Sequence, residues 1–249
     1  MTFDEFLEQA WADHGERAEE VGQRLERLRT HVHWREDGGA PTIVRRLVAA
    51  LRFGNGEAPT AGLDAADRAH AHAVAGAALA AQARMDLAIG HFRSALTAAA
   101  AGIAEGDPAV RALAVTSNNL AAALEEMPSR TAGQTAVMIE AARAAREYWA
   151  RAGGWLEIER AEYMIAKCEL AAGNAAAALA HAQECAAICD ANDADEFELF
   201  FAQSVLALAY RALGDGLQFK LAKASALDHY STLAADLKPS CESTLKLIG

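Results

Sequence analysis

His181, Cys185 and Cys189 recur at i, i+4 and i+8 in AHAQECAAICD. A helix through them carries an imidazole and two thiols along one face. Cys168, in the preceding apolar stretch, approaches them if the two segments pair as neighbouring helices. These are zinc-ligand types, and a tetrahedral site needs four converging donors. Three ligands on one straight helix span about 12 Å at 1.5 Å rise per residue, too far for one ion whose bonds are about 2.3 Å. Adjacent pairs are able to bind; the triple is not. Cysteine also fills small-residue packing positions and is among the most buried residue types. That reading explains the pattern without a metal, and no metal ligand is assigned.

Two further pairs, His31-x-His33 and His70-x-His72, have the look of ligand pairs. Residues at i and i+2 of a helix point apart, which makes His70 and His72 poor co-ligands in a helical segment. His31 and His33 fall in HVHWREDGGAP, beside Trp34, where the helical pattern breaks and the geometry is open. No HExxH, GxSxG, glycine-rich phosphate loop or CxxC occurs. No catalytic residue and no cofactor is therefore assigned, and the chain is read as a non-enzyme.

The elements that would hold these residues are helices. In RMDLAIGHFRSALTA (84–98), Met85, Ala88, Ile89, Phe92, Ala95 and Leu96 recur at helical spacing. The small residues share a face with Phe92, so a neighbouring backbone comes close and the ring fills the space between. Upstream, Val74, Ala75, Gly76, Ala78 and Leu79 make another such face. Glycine inside a helix costs on the order of 1 kcal/mol relative to alanine, and a close helix crossing is the usual reason to accept it. The 5 prolines, at 41, 59, 108, 128 and 239, all fall between helical patterns. No stretch alternates with period two, so essentially no sheet is expected.

The composition narrows the class. Hydrophobic residues are 53% of 249, much of it alanine in runs such as LTAAAAGIA, which suits helices packed closely. The formal net charge of −11 argues against nucleic acid and anionic membrane as partners. No apolar run is long enough to span a bilayer. MTFDEFLEQA lacks a basic and then apolar signal pattern, so a cytoplasmic location is expected, with the 4 cysteines as thiols.

Along the chain, Thr2 with Glu5 makes a capping box before a stripe running from Phe3, Phe6, Leu7 and Trp11 to Leu25 and Leu28, with Gly15 as a bend or break. A short helix is expected over Thr42–Phe53, with Ile43, Val44, Leu47, Val48 and Leu51 inward. GNGEAPTAG then reads as a linker. Residues 1–56 form an N-terminal helical segment, 64–235 a hairpin array, and 236–249 a tail that is a short helix or a frayed end. The hairpins are 64–83 with 85–104, 109–126 with 132–152, 155–172 with 175–191, and 195–213 with 217–235. Gly153-Gly154, Gly173-Asn174 and Gly214-Asp215 supply left-handed positions that end helices. Trp149 and Trp155 flank one turn as core anchors.

Gly76, Ala88, Phe92 and Ala95 match the small residue of the first helix and the alanine–aromatic–alanine series of the second in the tetratricopeptide repeat (TPR), which this chain resembles. Leu206, Ala207, Tyr210 and Gly214 match again, Leu120, Ala121 and Leu124 more loosely, and Ile165 with Gly173 once an extra residue is allowed near the turn. The equivalent places Gly76, Ala121, Ile165 and Ala207 are 45, 44 and 42 residues apart, against a standard repeat of about 34. The resemblance implies an all-α, α-α superhelix, a TPR-like solenoid of about four long, degenerate hairpins, with residues 1–56 as a cap that keeps the end repeat's apolar face dry.

It also implies that the first helix of each hairpin lines a concave groove. Its lining would include Asn118, Asn119 and Glu125, then Glu159, Glu162, Tyr163 and Glu169, then Phe201, Leu208 and Arg211. Asn119 falls where peptide-clamping members place an asparagine that holds ligand backbone. The basic residues that grip a terminal carboxylate are missing from the matched places. Four like charges repel one another unless a cation binds or solvent screens them. The expected function is a scaffold or adaptor that binds a basic or amphipathic peptide of another protein, anchored by Tyr163 and Phe201. The competing reading of the glutamates is a solvated helix face. Two alternatives stand beside it. One is a small-molecule sensor or enzyme with a pocket between the N-terminal segment and the repeats. The other is self-association, as a homodimer, through Phe197, Leu199, Phe200 and Phe201.

Overall fold

A computed structural model of the chain describes residues 40–57 and 62–249. The capping box at Thr2, the stripe from Phe3 to Leu28, the bend at Gly15, and His31, His33 and Trp34 lie outside them. Among the described residues ten helices follow in order: α1 (Ala40–Gly54), α2 (Ala65–Ala81), α3 (Met85–Ala99), α4 (Pro108–Glu125), α5 (Ala132–Ala152), α6 (Trp155–Ala171), α7 (Ala175–Ala191), α8 (Glu196–Leu213), α9 (Gly216–Thr232) and α10 (Lys238–Ile248). Among the described residues there is no strand, and no helix is long and apolar enough to cross a membrane. The chain divides into two compact units, with the boundary inside α4 between Leu120 and Ala121.

In the first unit α1 packs on α2 and α2 on α3. Asp64 caps α2, accepting from the Asp67 backbone N–H at 2.7 Å. Gly76 does what its position promised. A Cβ built there would lie 3.3 Å from the Ala88 carbonyl oxygen and 3.3 Å from the His91 Cβ, so α2 and α3 cross backbone to backbone, with Phe92 buried beside the crossing. The inward face of α1 differs from the expected one. Ile43 is exposed, and Arg46 is buried among Val44, Leu47 and Leu51. The arginine is there because it is fully paired. Its Nε donates to Asp67 at 2.9 Å, and its two terminal nitrogens donate to the Asp107 carboxylate at 2.7 and 2.9 Å.

In the second unit α5 packs on α6, α6 on α7, α7 and α6 on α8, α8 on α9, and α10 returns across α8. Met138, Ile165 and Phe200 are fully buried at its centre. Helix ends are specified locally. Arg130 Nη1 donates to the carbonyls of Leu124, Glu125 and Met127 at the end of α4, and Asp195 caps α8 through the N–H groups of Phe197 and Glu198. Gly173 and Gly214 take positive φ, 81° and 78°, as expected. Gly153 and Gly154 do not; both are extended. Gly153 is needed for closeness instead, since a Cβ there would meet Glu157 Cβ at 2.9 Å and the Trp149 ring at 3.0 Å. Trp149 is buried as an anchor, whereas Trp155 is exposed. The tail forms α10, with Cys241 and Ile248 in the core.

Replacing Gly76 by valine forces a branched side chain into the α2–α3 crossing, and urea unfolding should show a loss of about 2 kcal/mol, as overpacking typically does. Ala83 sits at φ 58°, where a Cβ costs about 1 kcal/mol. Ala83→Gly should raise the unfolding midpoint.

Candidate functional site

Helix α6 carries the charged residues on which a groove was expected to depend, and it sorts them onto two flanks. On one flank are Glu162 and Glu169. Arg146 Nε donates to Glu162 at 2.7 Å, and His181 Nδ1 lies 2.6 Å from the other carboxylate oxygen. Arg143 donates to Glu169 at 2.8 Å, and the Asn174 amide donates at 2.7 Å. Both glutamates are buried. They tie α6 to α5 on one side and to α7 on the other. On α8, Glu198 is held by Arg160. Glu162 and Glu169 are therefore not the unpaired, mutually repelling carboxylates expected of the groove: arginines of α5, invisible to a reading of the first helices alone, neutralise them.

Glu159 is different. It is 1% exposed. Cys185 Sγ donates to one of its oxygens at 2.9 Å, and the other, Oε2, is buried with no partner. Burial raises its pKa to about 7, with the neighbouring Glu198 adding to the rise. Cys185 and Cys189 are both fully buried in a small cluster with Ala202. His181 is turned to Glu162, so the three residues that opened the sequence reading are parts of a packed polar layer. No group of three metal-binding side chains is assembled among the described residues. In the first unit, His72 meets His91 with Nδ1 atoms 2.9 Å apart, stacked on Phe53. Burial lowers the His70 and His72 pKa values to about 4, so both are neutral.

The other flank of α6 carries Tyr163, Lys167 and Leu170. Tyr163 packs edge-on to Phe201 with ring centroids 5.7 Å apart. Phe201 in turn meets Phe197 and Phe200, each at 5.0 Å. The two expected ligand anchors are thus partly buried in the unit's own aromatic cluster. The cluster offered for self-association, Phe197, Leu199, Phe200 and Phe201, packs inside this unit, with Phe200 fully buried. FELFF carries four large apolar residues because α8 contacts helices on several sides.

Beside this cluster lies a half-open cavity of about 420 Å³, lined by Glu125, Lys167, Leu170, Ala171, Leu208, Arg211, Ala212 and Leu247. Lys167 Nζ pairs with Glu125 at 2.9 Å. Burial alone would lower the Lys167 pKa; Tyr163 and Glu125 outweigh it and hold the ammonium charged. Arg211, on the exposed side, donates to the Leu247 carbonyl at 2.8 Å and lies 5.6 Å from the Phe219 ring centroid. Three of the expected groove residues, Glu125, Leu208 and Arg211, therefore converge here. Asn118 and Asn119 belong to the first unit, the former half-buried and the latter exposed. Lys167 was missed, though it is the only lysine among residues 1–219. Leu247 gave no local signal, because α10 had to fold back to bring it there.

The helices, their antiparallel pairing and the small-residue crossings define a helical-repeat protein of the α-α superhelix class. Among solved structures, the chain is similar to the apo form of RapI, with a TM-score of 0.60 at 13% identity, covering 98% of this chain and 69% of that one. The likeness is one of fold. No family model and no curated protein matches the chain.

Glu159 is protonated more readily in the folded than in the unfolded chain. The pH-dependent cost of its burial is absent below its ordinary pKa and grows as pH rises from about 4.5 through about 7. Glu159→Gln should therefore stabilise the protein at pH 8, by about 2 kcal/mol, and much less at pH 5. Denaturant unfolding at the two pH values checks this; equal effects at both would contradict it.

Proposed function

We propose that this protein is a TPR-like adaptor whose second unit binds an amphipathic segment of another protein. The observation that carries the reading is the half-open aliphatic cavity with a charged pair on its wall. Apolar pockets with a few placed polar groups are the usual form of a binding site. Leu170, Leu208 and Leu247 would take an apolar anchor, which is where most of the energy of such an interface resides. Glu125 would meet a ligand cation by exchange with Lys167, so amphipathic segments are favoured over strongly basic ones. A cytoplasmic setting fits a reduced cysteine set. Glu159, Glu162 and Glu169 serve the site by fixing α6, and Tyr163 and Phe201 by fixing its rim. The similar RapI structure is described as an apo form, which supports a ligand on this fold. The alternative pocket against the N-terminal segment involves residues outside those described.

The test is fluorescence anisotropy with labelled amphipathic peptides about four helical turns long, at two net charges and two salt concentrations. Binding with Kd roughly in the micromolar range is expected, weakened at least about tenfold when Leu208→Trp fills the cavity, with the circular dichroism unchanged. Absence of binding across the panel, or equal binding by the filled variant, would refute the proposal.

A further inference from the structure

We infer that the cavity of the second unit takes an aliphatic carboxylate, with Arg211 holding the anion at its mouth. The inference deepens the binding reading above and rests on the cavity being the ligand site. It follows first from what the walls lack. Five of the lining residues are leucine or alanine, and the lining has no aromatic face and no hydroxyl or amide side chain. A nucleobase would find nothing to stack on, and a sugar would find no neutral polar side chain to bond. An unbranched or branched hydrocarbon group suits such walls, and the volume lies in the range of small-ligand pockets, about 300–1,000 Å³.

The charges then select the head group. Lys167 and Glu125 neutralise each other at 2.9 Å. Arg211 is left over. Among the described residues its partners are the Leu247 carbonyl and the Phe219 ring, and no carboxylate. A guanidinium offers five N–H donors, of which one is so engaged. The cavity is therefore cationic by one charge, in a chain whose formal net charge is −11. An incoming carboxylate completes Arg211 in the planar, two-bond geometry that arginine favours, and its hydrocarbon group runs inward between Leu170 and Leu208. A cationic or neutral head group gains nothing from Arg211.

Two sources carry this chemistry: a free medium-chain fatty acid, and a peptide ending in a leucine-like residue with a free carboxylate. Calorimetry on the full chain distinguishes them, using octanoate, octylammonium and 1-octanol alongside a leucine-terminated peptide as free acid and as amide. Octanoate is expected to bind one-to-one and at least about tenfold tighter than the other two octyl compounds, since hydrogen bonds between charged groups are stronger than neutral ones. Arg211→Gln should erase that preference while the ligand-free protein keeps its fold, as its circular dichroism checks, because the side chain is exposed. Leu208→Trp should abolish binding. If the peptide acid binds and octanoate does not, the carboxylate is a peptide's. Equal binding of octanoate and octanol, an Arg211→Gln variant that binds as the native protein does, or no binding of either carboxylate overturns the inference. Peptides that bind in the cavity regardless of amidation would leave the adaptor reading standing and end this one. Octanoate binding that no peptide displaces would do the reverse.

Discussion

Close approach of helix backbones at alanine and glycine is the constraint from which the rest of this structure follows. Gly76, Ala121, Ile165 and Ala207, the four equivalent places, are all buried, and alanines of α2, α4, α5 and α8 fill the contact faces to full burial. Each alanine removes little apolar area from water, on the order of one methyl group's worth. Most of the packing gain therefore rests with a few large side chains set between the small ones, such as Phe92, Leu113, Met138, Ile165 and Phe200.

Smooth alanine faces specify register weakly, and buried charges supply what they lack. Arg46 clips α1 to Asp67 and Asp107. Glu162 meets side chains of α5 and α7, and Glu169 takes donors from α5 and from Asn174, the residue before α7. Buried ion pairs return little net stability once desolvation is counted, but removing one partner leaves an uncompensated charge and is strongly destabilising. They fix which neighbour lies where. Glu159 is the exception within the same layer: half satisfied by a thiol, it has its pKa raised by burial to about 7.

The cavity arises from the same constraint. Ala171 and Ala212 leave space, the leucines around them do not close it, and α10 crosses α8 so that Leu247 forms part of the rim. Arg211 joins the two helices through the Leu247 carbonyl. The region is thus held together by groups that also face solvent, as a ligand site must be.

The helix positions, the α2–α3 crossing at Gly76 and the left-handed ends at Gly173 and Gly214 were legible in the amino-acid sequence because each depends on a local period or a single backbone conformation. The inward face of α1 was half legible: periodicity marks a stripe, but it cannot show that Arg46 will find two carboxylates 21 and 61 residues away. The glutamates of α6 were recognised as a cluster and their partners were not, since Arg143, Arg146 and His181 lie on other helices. Likewise Glu125, Lys167, Arg211 and Leu247 belong to four separate helices. Local spacing set the fold; the packing of distant helices against one another, which no local pattern encodes, decided which charges were cancelled and which one was left facing a cavity.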